Sequence, residues 1–462
     1  MKKTVILILA SLLFSGTAFA LEEVSYRLQA LGGDFKGTVK DEYTDIFINP
    51  ARIETSSREI TGTSLTPLNF GYFTSNHFAV LAGISGSTRK DQTVYTYSTS
   101  TYLEEINNSN NYLNESVSAA FIKGFKSGSS YFGVAIIPQR DYSDASVPSS
   151  DIYSGRDTQN IINFFTSTNS NTQQTSDVVS VRLNLGLFKI DDESNEREFV
   201  LSAKYQNINT LNDSVYHYFR NDDPDGNGLD RNNVTISTPS YLTANETVNY
   251  SYPAVSLAGF GIKYRSSSKT SYSGRKSFYL EASWMPGRND GSYIDQTQNT
   301  TTSGTTITNQ NSVYSSYTFT NRSDTYSLIT GLARTLNIDK FMFAIGAHSN
   351  LAYVKSSSGY QPSIQGPGDQ EQFNYTLSLP LGFEYNPIPS VFIRGGASPS
   401  VSGSVAKNTR FPNSVTTNKS YSDSFSEGIT NSLGFGIVPF KSLVIDVLSS
   451  SANTHFQVTY LF

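Results

Sequence analysis

Four histidines are the first residues to test for chemistry: His77, His217, His348 and His455. A serine nucleophile needs a base and a third group to orient that base. Hydrolytic zinc sites pair two histidines one helical turn apart around a glutamate. Neither a Gly-x-Ser-x-Gly elbow nor a His-Glu-x-x-His run is present. His348 and His455 fall where strand alternation predicts polar lining of a lumen, and His217 falls in a long polar stretch. Cysteine is absent, which removes disulfides, thiolate metal sites and a Cys nucleophile. The chain reads as a non-enzyme.

One stretch has the residue types of a cation site. Asn221, Asp223, Asp225 and Asn227 place oxygen ligands at alternate positions, with Gly226 for the sharp turn and Asp230 beyond. That is the first half of a calcium loop. Its twelfth position holds Asn232 instead of a bidentate Glu. Two readings stand: Ca²⁺ stiffening an external loop, or an acidic, turn-rich loop without metal.

The charges that matter more are scattered singly along alternating stretches. Val179, Val181, Leu183, Leu185 and Leu187 alternate with Ser180, Arg182, Asn184 and Gly186; Tyr375 to Tyr385 and Phe278 to Trp284 behave alike. Period two this regular describes strands with a different solvent on each face. Arg182, Lys263, Arg265, Glu281, Glu384, Arg394 and Asp446 all fall on the polar parity. As lumen lining they would set a pore's polarity, brace the wall or hold a plug.

Composition agrees with a wall one residue thick. Only 37% of residues are hydrophobic and 16% charged, with 29 Tyr and 29 Phe among Ser-, Thr- and Asn-rich stretches. That is too apolar-poor for several ordinary cores and too charge-poor for disorder. A formal net charge of −5 gives no basic field for nucleic acid. Residues 1–20 read as a signal peptide: Lys2 and Lys3, an apolar run from Val5 to Phe14, and Ala18-Phe19-Ala20 as the cleavage site after Ala20. No later stretch is a helical span, so insertion must be by strands.

The spacing predicts an all-β, transmembrane, antiparallel up-and-down barrel over 78–462 with a short N-terminal plug at 21–77. Counting from Phe78 gives fourteen strands. Sixteen result if Val24–Leu28 and Ile60–Phe70 both join the wall. Stretches near 143–175, 212–248, 288–316, 356–370 and 403–420 read as long external loops, and Pro253 and Pro380 interrupt strands. Val255 and Leu257 lie on one parity and Phe260, Ile262 and Tyr264 on the other, which predicts a bulge near Ala258-Gly259.

Asn49-Pro50-Ala51 predicts a brief helix start, with Asn49 capping and Pro50 at the first turn. With its acidic-aromatic lead-in, this segment resembles the plug of the FadL-like outer-membrane proteins, which carry long-chain fatty acids and other hydrophobic compounds. The resemblance implies passive uptake: capture by loop aromatics such as Tyr153, Phe164 and Phe165, displacement of the plug, and exit through the wall or base. It implies as partners the bilayer, lipopolysaccharide, hydrophobic small molecules and the barrel assembly machinery. The residues alone leave a water-filled porin for small polar solutes, or a closed structural or adhesive barrel, as alternatives. The final strand, with Phe456, Val458, Tyr460 and Phe462 on one face, resembles the C-terminal recognition strand of outer-membrane barrels. Deleting Phe462 is expected to lower the assembled fraction more than any loop deletion, read as heat-modifiable mobility in gels.

Overall fold

The computed structural model describes residues 25–461, apart from 56–58, 65–67, 75–76, 100–101, 157–161, 193–194, 222–239, 252, 271–272, 304–305, 362–367, 414–415, 441–442 and 451–453. The expected signal peptide, Phe462 and all the proposed calcium ligands except Asn221 lie outside the described residues. The chain opens with helices α1 (Tyr26–Ala30) and α2 (Glu42–Ile48) and a 3₁₀ turn, Pro50–Thr55. The described elements after these are all strands: β1 (Glu59–Ser64), β2 (Leu68–Thr74), β3 (Phe78–Thr99), β4 (Tyr102–Ser127), β5 (Ser130–Arg156) and β6 (Ile162–Asp192). Then come β7 (Asn195–Asn221), β8 (Ser240–Ser251), β9 (Val255–Lys269), β10 (Arg275–Ser303), β11 (Thr306–Ile338) and β12 (Phe341–Gln361). The last six are β13 (Gly368–Ser378), β14 (Leu381–Ile388), β15 (Val391–Asn413), β16 (Thr416–Phe440), β17 (Leu443–Ser450) and β18 (Thr454–Leu461).

All pairings are antiparallel, and β18 pairs β1 with Thr459 opposite Thr61, so the sheet closes on itself. Segments β8 and β9 both lie between β7 and β10, separated at Pro253; β13 and β14 both lie between β12 and β15, separated at Pro380. Proline has no N–H for the ladder, which is why each wall strand is interrupted there. Eighteen segments thus make sixteen wall strands. The count from Phe78 is fourteen, and the hairpin β1–β2 adds two. Ile60–Phe70 therefore supplies two strands, and the wall begins at Glu59. The described residues of the Val24–Leu28 stretch supply none. Ser25 caps a helix there instead, accepting from the Leu28 N–H at 3.2 Å.

Two further expectations change. Towards β7 no bulge falls at Ala258-Gly259, because β9 runs in one register from Asn195 opposite Ser268 to Ile208 opposite Val255. Towards β10 the ladder stops at Phe260 opposite Trp284 and resumes only at Ser251 opposite Ser292. The register shifts at 252–254 instead, where Pro253 breaks the ladder. Leu257 consequently stays buried on the lumen side. Gly259 itself lies close to β10, where a Cβ would meet the Trp284 carbonyl at 2.7 Å. The stretches expected as loops are mostly paired hairpins: β5 and β6, for example, run together from Ser130 opposite Lys189 to Gly155 opposite Phe164. Tyr153, Phe164 and Phe165 belong to that ladder. Thr and Tyr suit a pleated surface, so polar composition did not mean irregular backbone.

The outward face identifies the solvent. Val179, Val181, Leu183, Leu185 and Leu187 are exposed, while Ser180, Asn184 and Gly186 between them and Phe188 after them are buried. At ~3.3 Å per residue and a tilt of ~40°, that run covers ~23 Å of membrane normal, close to the apolar band of an outer-membrane barrel. Among the described residues no helix is long and apolar enough to cross a membrane. The strands do the spanning.

One sector of the wall is low. β17, β18, β1 and β2 have only six to eight residues each, where a spanning strand needs about 9–11. β16 meets β17 only from Ser432 towards the short-turn end, and β3 meets β2 only from Ile84. Beyond those points both strands pair on one side only among the described residues. Among the described residues this leaves a notch in the wall between β16 and β3, with its floor at Ser432 and Ile84. Leu185→Arg, facing lipid near mid-depth, is expected to cost about 2–4 kcal/mol, measured by denaturant titration of the barrel refolded in vesicles.

Candidate functional site

The helices and 3₁₀ turn form a plug inside the barrel, built for contact rather than for independent stability. Asp41 caps α2 by accepting from the Thr44 N–H at 2.9 Å, and the helix stops at Asn49. Asn49 then caps the next turn: its Oδ1 accepts from the Ala51 N–H at 3.0 Å. Pro50 follows where a missing N–H costs nothing. Ile46, Phe47 and Ile53 pack on lumen-facing Leu81, Ile122 and Ile137. Leu28, Leu31, Phe35 and Val39 pack on Ala333 and Ala344 further round.

Glycine makes the wall concave where the plug touches it. Gly124, Gly133 and Gly186 face one another in register across β4, β5 and β6. A Cβ on Gly133 would collide with the Pro50–Ala51 backbone, and one on Gly186 with the Asn49 side chain. Asn49-Pro50-Ala51 thus lies on a trough of missing side chains. Gly382 and Gly396, paired across β14 and β15, carry Leu31 in the same way. Counted round the ring, Gly133 and Gly396 are eight wall strands apart, so the plug bridges the barrel's diameter.

Charge locks both ends. At the first, Arg265 reaches Asp45 at 2.6 Å and Glu198 at 3.5 Å. Arg52 bonds Glu196 at 2.7 Å and also Glu198, with its guanidinium 3.8 Å above the Phe188 ring. Asn49 donates to Glu198 at 3.2 Å and to the Leu187 carbonyl at 3.0 Å. Arg275 reaches Glu196 at 3.0 Å. Asp45, Arg52, Glu198 and Arg265 are each no more than 3% exposed. At the second end Arg27 bonds Glu384 at 2.9 Å; Arg394 bonds the same carboxylate at 2.7 Å and also Asp446. His77, at the β2–β3 turn, holds the buried Glu54 at 2.7 Å.

Burial opposes the charge on Arg52, yet Glu198, Asp45 and Glu196 outweigh it and hold its pKa above the ordinary arginine value. Arg27 is also raised, Glu384 and Asp41 overcoming its desolvation. For Asp45 burial wins: its carboxyl is pushed up despite Arg265 and Arg52 beside it.

Of the lumen charges singled out in the sequence, Arg265, Glu384, Arg394 and Asp446 belong to these two locks. Lys263 and Glu281 pair with each other at 3.3 Å, and Arg182 faces the lumen one step from Asn184. Val458 and Tyr460 face outward and Gln457 inward, as the last strand's alternation predicts. Asn221 ends β7, opposite Phe165 and Tyr241. Sequence reasoning did not single out Glu196 and Glu198, placed beside a turn, nor Asp45 and Arg52. The signal was there: Asp45 and Arg52 bracket Asn49-Pro50-Ala51, and the glycines share the polar parity of neighbouring strands.

Beyond the plug the described lumen is lined mainly by polar residues. A cavity of about 640 Å³ is lined by Gln206, Asn321, Ser356, Gln370 and Asn408, with Ile208 and Leu257 as its apolar members.

No family profile matches the chain, and no curated protein sequence does. Solved structures similar to it include the Pseudomonas putida toluene transporter TodX (11% identity, 96% of this chain and 99% of that one, TM-score 0.39). The Ralstonia pickettii toluene transporter TbuX shares 13% identity over 94% and 96% of the two chains, TM-score 0.35. A Pseudomonas aeruginosa FadL homologue shares 11% over 96% and 100%, TM-score 0.36. These superpositions run end to end but loosely, and the functional reading stands on the chain's own geometry.

Removing one partner of a buried pair leaves the others uncompensated, at about 3–5 kcal/mol. Arg52→Ala is therefore expected to loosen the plug, read as faster maleimide labelling of an Ile53→Cys reporter in this otherwise cysteine-free chain. Gly133→Leu should do the same by steric exclusion; unchanged labelling in both variants would show that the plug is not held at these contacts.

Proposed function

We propose that the protein is an outer-membrane channel that passively admits hydrophobic or amphipathic compounds, and that they leave sideways with the plug still seated. The observation that carries this reading is the notch: a wall six to eight residues high beside a lumen blocked by the plug. A compound descending from the long hairpins meets the plug's buried ion pairs below and open bilayer beside it. Only a molecule that partitions into lipid gains by that exit, so the substrate class is apolar. Asn49-Pro50-Ala51 acts here as a fixed floor, and its glycine trough keeps it in place. Long-chain fatty acids fit the class, as do smaller hydrocarbons.

The polar cavity favours a second reading, a porin for small hydrophilic solutes. That reading requires the plug to leave. A disulfide between Asp34→Cys on the plug and Ser398→Cys on β15, whose side chains are hydrogen-bonded in the docked plug, separates the two. In cells lacking other channels for these compounds, uptake of a radiolabelled fatty acid or toluene is expected to be equal with the bond formed or reduced. Loss of uptake on oxidation would overturn the sideways route in favour of one through the base. Large steady conductance appearing only on reduction would favour the porin.

A further inference from the structure

The lumen cavity of about 640 Å³ has two unlike sides. One is a row in register across neighbouring strands: Gly287 on β10, Ser323, Ser356 and Gln370 on β11 to β13, Asn408 on β15 and Ser420 on β16. The other is apolar, with Ile208 on β7 and Leu257 on β9. Both ends of the row meet a break in the wall. Gly287 falls where β10 leaves β9 beyond Trp284, and Ser420 falls where β16 pairs with β15 alone among the described residues.

Hydrogen bonding separates this row from those beneath it. Towards the plug the next inward rows run from Met285 to Ser422 and from Ser283 to Ser424. Polar groups there satisfy one another: Gln372 donates to Asn374 and to Ser404, both at 2.9 Å, and the Ser283 and Ser327 hydroxyls are 2.6 Å apart. In the cavity Ser323, Ser356, Gln370 and Asn408, with Gln206 on β7, make no side-chain hydrogen bond among the described residues. All three inward rows are uncharged. The cavity's charged members, Arg288, Arg322 and Asp369, stand one position out of the row. Arg288 is paired with Asp290, and Arg322 and Asp369 carry opposite signs, so an ionic head meets no net field.

On the premise that the channel admits amphipathic compounds, we infer that this cavity binds one with an uncharged, polyhydroxylated head, of the alkyl glycoside kind. The head lies on the row and the alkyl chain against Ile208 and Leu257. Amides and hydroxyls both donate and accept, as sugar hydroxyls do, whereas a carboxylate head only accepts. The uncommitted side chains therefore match a polyol, and the apolar side selects one that carries a chain. Depth agrees. The row lies three residues beyond Trp284, Tyr326 and Tyr353, which are in register across β10, β11 and β12. Aromatic residues of that kind mark the membrane interface, so the head stays at headgroup level and loses little on passing sideways.

The probe is hexyl β-D-glucoside, added below its micellar concentration to the full chain in phosphatidylcholine vesicles. Ser356→Cys, in this otherwise cysteine-free chain, reports occupancy as its rate of labelling by a water-soluble maleimide. The glucoside should slow labelling saturably, half-maximally at a concentration about tenfold or more below that of hexanoate, hexanol or glucose. Butyl β-D-glucoside, two methylenes shorter, should need about tenfold more. Gln370→Leu with Asn408→Leu should raise the half-maximal concentration about 30-fold, the loss of two neutral hydrogen bonds. Ser424→Ala, two rows nearer the plug, is the control and should leave it unchanged. Retained heat-modifiable mobility confirms that each variant is folded. Equal protection by hexanoate, hexanol or glucose would overturn the assignment. So would no protection at all, or a double variant within about twofold of the parent. Protection is read without transport, so it can fail while apolar compounds still enter, and it can hold when uptake through a locked plug does not.

Discussion

The constraint on which this molecule depends is that hydrocarbon offers no hydrogen bonds. Every backbone N–H and C=O at membrane depth must find a partner in the protein, and a sheet meets that demand only by closing. The pairing of β18 with β1 is therefore the contact that makes the rest possible. Once the ring is closed, alternation sorts side chains: Val, Leu and Phe outward, Ser, Asn, Gly and charge inward. The notch is one place where the constraint is relaxed; the break between β9 and β10 beyond Trp284 is another. At the notch the edges of β16 and β3 stop pairing on one side above Ser432 and Ile84, and water from the lumen can solvate what the ladder leaves open.

The plug answers a different problem. A segment with two short helices cannot bury enough surface to fold alone, so its order comes from the wall. Apolar contacts supply attraction without fixing position. The glycine rows and the buried charges fix it, because Asp45, Arg52, Glu198 and Arg265 tolerate few arrangements in which every charge is paired. Steric troughs at opposite points of the ring hold the plug across the diameter, and ion pairs at each end set its orientation. A plug held in this way makes a poor door, which is why a gap in the wall carries more of the functional argument than the plug does.

What was legible in the sequence follows from range. Period-two alternation is local, so the all-β wall, the fourteen strands from Phe78 and the outward face of Val179–Leu187 could all be read directly. Asn49-Pro50 declared its turn by cap chemistry between neighbours. The β1–β2 hairpin was harder: at six and seven residues, each strand is shorter than the run that makes alternation convincing. Pro253 was recognised as an interruption, yet the compensating shift was sought at Ala258-Gly259, because parity shows that a phase changes and not where the ladder yields. The plug locks were out of reach for another reason. Arg265 lies 220 residues from Asp45, and nothing local to either shows that they meet.

Polar composition misled in an instructive way. Long Ser-, Thr- and Asn-rich stretches were read as loops, whereas most are ladders standing beyond the membrane. In a soluble sheet one face needs a core, and its strands advertise themselves by apolar residues. Outside the bilayer a hairpin between two barrel strands inherits register from the strands below it, so it needs no apolar face to be specified. The backbone bonds are already aligned, and each further pair costs only the ordering of two residues. Strand length in such a wall is therefore set by how far the register can propagate, and the apolar band alone marks how much of it is membrane.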